Sequence, residues 1–164
     1  MNIPASQTFM LSDSINVKKI NAALKDADMT LMGNACEPEE GMVLDTFDAA
    51  VYNSDTLLIQ TASDLVTLCW SGDLTAQAVP ESEWRFAREL PQGPVRDQLL
   101  NHSSLRAFTP AGQVTIIRDT LTLLDDEQKT CCRVDSVTLS RGDNAWSWLR
   151  TRPMRGYNDS HTLI

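Results

Sequence analysis

The sequence predicts an α+β domain built mainly on antiparallel strands, and three features predict it. Short runs rich in Val, Ile, Thr and Leu recur along the chain, separated by Asn, Asp, Ser, Gly and Pro at turn positions. One such run, Val114 to Leu124, breaks at the polar stretch Asp125 to Gln128 and resumes from Thr130 to Leu139, which is the pattern of a hairpin. Only two stretches read as helices, about Ile15 to Ala27 and the residues that follow Pro94.

Taken in order, Gln7 to Leu11 (QTFML) reads as a first strand. Ser12, Asp13 or Ser14 then offers a cap for a helix to about Ala27, with Val17, Ile20 and Leu24 on one face and Lys18, Lys19 and Lys25 elsewhere. Gly33 to Gly41 is expected to be a polar, acidic connection. Met42 to Thr67 holds two strand-like runs, MVLDTFDAAVY and LLIQTA, divided by the turn Asn53-Ser54-Asp55. Leu65 to Trp70 and Leu74 to Val79 form a hairpin across Ser71-Gly72-Asp73, and Glu83 to Leu90 is expected to be a further strand, with Trp84 and Phe86 on one face and Arg85 on the other. Pro94 suits the first position of a short helix carrying Val95, Leu99 and Leu100. After the central hairpin, Arg141-Gly142-Asp143 turns into a last strand, Asn144 to Arg152, which Pro153 stops.

At 164 residues and 18.2 kDa the chain is expected to be a single domain that buries about two-thirds of its unfolded surface. It needs no disulfide framework. Cys36, Cys69, Cys131 and Cys132 lack the paired CxxC spacing of a zinc site and read as reduced, mostly core residues of a cytoplasmic protein. No run of 18 apolar residues and no basic-then-apolar N-terminus is present, so no membrane partner is expected. The net charge of -8 argues against nucleic acid as a partner.

Counting by twos, Val114, Ile116, Arg118, Thr120, Thr122 and Leu124 share one strand face. Arg118, Arg133, Arg150 and Arg152 then fall on successive strands, where they can lie near one another across a sheet. Such a row suits a polyanion, because each guanidinium offers two parallel donors to a phosphate. The competing structural reading pairs Arg118 and Arg133 with Asp119, Asp135 or other carboxylates across strands. Two other groupings read as ordinary structure. Cys36 with Glu37, Glu39 and Glu40 has no histidine nearby and belongs to a loop, and His102 beside Ser103 and Ser104 has no acid placed to orient it.

DTFDAAVYNSDTLLIQ (45–60), RFARELPQGPVRDQL (85–99), LRAFTP (105–110), LLDDEQKTCCRVD (123–135) and RPMRGYND (152–159) together resemble the CYTH-like domain found at the N-terminus of CHAD-domain proteins. The resemblance spans about Gln7 to Tyr157. It implies a fold related to the triphosphate tunnel metalloenzymes, in which antiparallel strands curve into a tunnel or half-tunnel with basic side chains inside. It also implies that residues 1–164 are one CYTH-like domain, the N-terminal part of a longer protein that continues into a helical CHAD domain. Active members carry an ExExK motif on the first strand and work by metal-assisted attack of water on a phosphoryl group.

This chain departs from that pattern at SQTFML, which has neither Glu nor Lys. The expectation is a non-catalytic module that binds phosphate or polyphosphate, or serves as a scaffold. Arg85, Arg118, Arg133, Arg150 and Arg152 are its candidate phosphate ligands, with no catalytic or metal-binding residue and no cofactor. Two alternatives stand beside it. One is a residual metal-dependent triphosphatase using Mg2+ or Mn2+, and the other is a structural interaction domain whose arginines are paired internally.

Overall fold

A computed structural model describes residues 7–11, 15–33, 36–80, 82–103 and 105–154. The described residues form β1 (Gln7–Leu11), α1 (Val17–Leu24), β2 (Thr30–Gly33), β3 (Glu39–Asp45), β4 (Thr56–Gln60), β5 (Asp64–Cys69), β6 (Leu74–Ala78), α2 (Pro94–Ser103), β7 (Thr109–Leu124), β8 (Thr130–Arg141) and β9 (Asn144–Pro153). The strands pair antiparallel with their neighbours, so the α+β, mainly antiparallel class is the one observed. Two compact units divide the chain, one of Met1–Pro38 with Ile116–Ile164 and one of Glu39–Thr115, and β7 begins in the second and ends in the first.

In the first unit the strands run in the order β1-β9-β8-β7, with β2 also on β7. One face of this sheet is apolar and packs on α1. Leu121, Leu123, Cys132, Val134 and Leu149 bury against Leu24 and Leu31, with Val17 and Ile20 of the helix beside them. The helix starts where Asn16 accepts the Lys19 N–H with its side-chain oxygen, two to four residues later than a cap at Ser12, Asp13 or Ser14. Residues 12–14 themselves lie outside the described residues. Asn21 then locks helix to strand, donating to the Leu31 carbonyl at 3.0 Å and accepting the Leu31 N–H at 2.7 Å. Gly33 is fixed by close approach, since a Cβ there would lie 2.2 Å from Leu121 Cδ2 and 3.2 Å from Leu121 Cα.

In the second unit β3, β4, β5 and β6 follow one another in sequence order. Strands β4 and β5 bury residues on both faces, Leu58, Ile59, Leu65, Val66 and Leu68 among them, which is why their sequences read as nearly continuous apolar runs. Val95 and Leu99 of α2 join Leu44, Val51, Leu58, Leu65, Ala87, Leu90 and Phe108 in the core. Gln98 ties the helix to the sheet: it accepts from the Thr67 hydroxyl and donates to Thr75 Oγ1 at 3.3 Å.

The predicted hairpins are present. Gly72 (φ 87°) turns β5 into β6, and Gly142 (φ 58°) turns β8 into β9. Between β7 and β8, Asp125 accepts the Lys129 N–H on its side chain at 2.8 Å, and its own N–H donates to the Lys129 carbonyl at 3.0 Å. Three expectations are corrected. Glu83 to Leu90 is no strand: the Glu89 carboxylate accepts the N–H groups of Arg85 (2.8 Å) and Phe86 (3.1 Å), which folds Ala87–Glu89 into a 3₁₀ turn. The Met42-to-Tyr52 run ends as a strand at Asp45, because that side chain accepts the N–H groups of Thr46, Val51 and Tyr52 and curls the chain back. Gly33 to Gly41 is less of a loop than expected, since β2 includes Gly33 and β3 starts at Glu39.

All four cysteines are free thiols: Cys131 and Cys132 are buried, Cys69 is half-buried, and Cys36 is exposed rather than in the core. Burial pushes the Cys131 and Cys132 thiols up from their ordinary range, with Asp125 adding to the effect at Cys131. A folded-state value raised in this way leaves its stabilising contribution intact below the unfolded thiol value of about 8.5 and removes it as pH climbs past that value. At neutral pH a thiol reagent should therefore modify Cys36 first and reach Cys131 and Cys132 only in denaturant. Equal rates at all four would overturn this placement, and thermal stability should fall above pH 9.

Candidate functional site

The other face of the first unit's sheet carries charge. In register, Arg133 of β8 lies directly opposite Arg152 of β9, Asp135 opposite Arg150, Val137 opposite Trp148 and Leu139 opposite Trp146. On the far side of β9, Thr8 and Met10 of β1 lie opposite Arg150 and Trp148. Thr120 of β7 donates its hydroxyl hydrogen to Asp135 Oδ1 at 3.5 Å, which places the β7 residues of its parity, Arg118 included, on this same face. Four of the five candidate arginines thus share one face of the sheet. Trp148, Val137 and Leu139 form a buried apolar floor beside them.

Asp135 is a carboxylate of this group. Asp135 Oδ2 pairs with Arg152 Nη2 at 2.5 Å, with Asp135 about one-third and Arg152 about half exposed. Asp119, the other carboxylate considered for Arg118 and Arg133, has the opposite parity and accepts the Cys36 N–H at 2.8 Å. Arg133 is exposed and makes no side-chain hydrogen bond or ion pair among the described residues. Two guanidinium groups set directly across from one another repel, a cost that the Asp135–Arg152 pair relieves in part and that an anion bound between them would relieve further.

Arg85 is placed elsewhere, in the Glu39–Thr115 unit. There it lines a cleft of about 490 Å³ with Trp84, Phe108, Leu44, Gln60 and Glu83. Its backbone is pinned on both sides, the N–H to Glu89 and the carbonyl to the Phe108 N–H at 2.7 Å. The N–H groups of Arg85, foremost, and Phe86 hold the Glu89 carboxyl below its ordinary value, so the turn is at full strength at neutral pH and weakens as pH falls into the carboxylate range. The unit is strongly acidic, with 4 Lys+Arg against 11 Asp+Glu, and Glu83 shares the cleft. A lone guanidinium there is a poor anchor for a polyanion.

The donor set of the arginine face does not suit a divalent cation. Its carboxylate, Asp135, is engaged by Arg152 and surrounded by positive charge, and no group of three or more His, Cys, Asp or Glu that could hold a metal occurs among the described residues. His102 is exposed in the last turn of α2. No helix among the described residues is long and apolar enough to cross a membrane. Sequence reasoning named Asp135 as a possible pairing partner of Arg118 and Arg133. It also pairs with Arg152 and accepts from Thr120, contacts that follow only from the β8–β9 register and the β7 contact.

No family model matches the chain, and no curated protein is found to be similar to it. Among solved structures, it is similar to a presumptive adenylate cyclase from Bacillus halodurans at a TM-score of 0.49 and 15% identity, covering 96% of this chain and 86% of that one. A presumptive adenylate cyclase from Vibrio parahaemolyticus is similar at a TM-score of 0.44 and 9% identity, covering 96% of this chain and 80% of that one.

Proposed function

We propose that this chain is a CYTH-like, non-catalytic module that binds phosphate compounds or inorganic polyphosphate through Arg118, Arg133, Arg150 and Arg152, in a cytoplasmic protein where a CHAD domain follows in cis. The observation that carries the reading is the direct opposition of Arg133 and Arg152, with Arg150 two residues along and Asp135 as the carboxylate beside them. Guanidinium groups at this spacing offer parallel N–H pairs to successive phosphates of one chain, and the buried Trp148 fixes the strand that presents two of them.

What stands across from the arginines supports the non-catalytic part of the proposal. The β1 residues on their face are Thr8 and Met10, which supply no carboxylate to a metal. In this reading the face holds a polyanion and neutralises its charge. Arg85 stands outside this assignment.

Titration with long-chain polyphosphate at low salt tests the proposal. Saturable binding that weakens with added salt supports it. Absence of binding by a folded sample sinks it and leaves the structural interaction domain, whereas chelator-sensitive release of phosphate from tripolyphosphate with Mg2+ or Mn2+ would restore the hydrolase.

A further inference from the structure

Asp135 holds an unusual position on the arginine face. Its Oδ2 pairs with Arg152 at 2.5 Å, its Oδ1 accepts from Thr120 at 3.5 Å, it lies opposite Arg150 in register, and Arg133 is two residues away on its own strand. Both carboxylate oxygens are thus used in the way two oxygens of a phosphate would be. From this arrangement we infer that Asp135 is a built-in counter-anion that regulates the face, occupying Arg152 until a more highly charged ligand displaces it.

The inference rests on the phosphate-binding reading and adds a consequence to it. An incoming phosphate meets Arg133 at once but gains Arg152 only by breaking that ion pair, and it then sits beside a carboxylate that repels it. Singly or doubly charged anions gain little by the exchange. A ligand with several adjacent charges contacts Arg118, Arg133 and Arg150 together and outcompetes the carboxylate. Asp135 therefore discriminates by charge density, disfavouring free phosphate relative to its polymers. The device is inexpensive for the fold, since a half-exposed pair of this kind contributes little to stability.

Three variants test this with tripolyphosphate and orthophosphate as probes, by calorimetry, on samples whose melting temperatures are measured alongside. Asp135→Asn keeps the side chain's shape and removes its charge. It should bind tripolyphosphate about tenfold more tightly than the native chain, with a steeper salt dependence because one more guanidinium engages the ligand. Its gain for orthophosphate should be larger still, which narrows the selectivity. Asp135→Glu retains the carboxylate and should stay near native affinity. Arg152→Ala placed on Asp135→Asn should cancel the gain. If the native chain binds tripolyphosphate and Asp135→Asn binds equally or less well, the counter-anion role is overturned while phosphate binding stands. If neither folded protein binds, phosphate binding itself is refuted, and the counter-anion role with it.

Discussion

Replacing Arg118 and Arg133 together by alanine should remove most of the affinity for long-chain polyphosphate, lowering it by about 100-fold at low salt. Each lost guanidinium takes with it a charge-assisted pair worth about 1.5–3 kcal/mol, and two such losses amount to two or more factors of ten. Arg133 contributes little to the bare fold, because it is exposed and stands across from Arg152, so Arg133→Ala by itself should leave the melting temperature unchanged or slightly raised. Lysine at both positions keeps the charge without the two-pronged geometry and should fall between native and alanine. Unchanged binding by the alanine pair would move the ligand away from this face.

The largest effect on stability is expected at Asp45. Its carboxylate accepts the N–H groups of Thr46 at 2.7 Å, Val51 at 3.0 Å and Tyr52 at 3.1 Å, and its carbonyl accepts from the Thr109 hydroxyl at 3.2 Å. Thr46 extends the same turn, donating to Asp48 and accepting the Ala50 N–H. Alanine at position 45 leaves three N–H groups without their acceptor and should cost about 3 kcal/mol, read as a lowered urea midpoint. Asparagine retains one acceptor oxygen and should recover about half of that loss. A native-like midpoint for the alanine variant would show that water replaces the carboxylate without penalty. The DTFDAAVYNSD stretch is thus explained by turn chemistry, with Asp48 further held by Arg106.

The parts legible in the sequence were those fixed locally. The β7–β8 hairpin was visible because β-branched residues flank a turn whose Asp125 supplies its own hydrogen bonds. Strand β2 was invisible: four residues, TLMG, have no alternation to read, and they form a strand because Leu121–Leu124 pairs with them and Gly33 admits Leu121 at close range. At Trp84 and Phe86 the alternation pointed to a strand, yet one carboxylate three residues beyond Phe86 captured the backbone N–H groups instead. Successive strands allowed four arginines to lie near one another, without saying which face of each strand they shared. Parity did not place Arg133 opposite Arg152, because that register is set by the turn at Gly142, eight residues or more from either arginine.

The uneven division of charge has a consequence for rates. Residues 39–115 hold 4 Lys+Arg against 11 Asp+Glu, while the remainder holds 10 against 11. A polyanion approaching from a distance meets a net charge of -8 before it meets the arginines. Between about 10 and 100 mM salt the screening length shrinks from roughly 30 to 10 Å, which mutes the distant repulsion and leaves the close contacts comparatively strong. Association should therefore quicken with added salt over that range while dissociation also quickens, the reverse of the association trend for a basic protein steered toward a polyanion. Stopped-flow measurement of the two rate constants would show it, and an association rate that falls steadily with salt would mean that the arginine face, and not the whole molecule, governs the encounter.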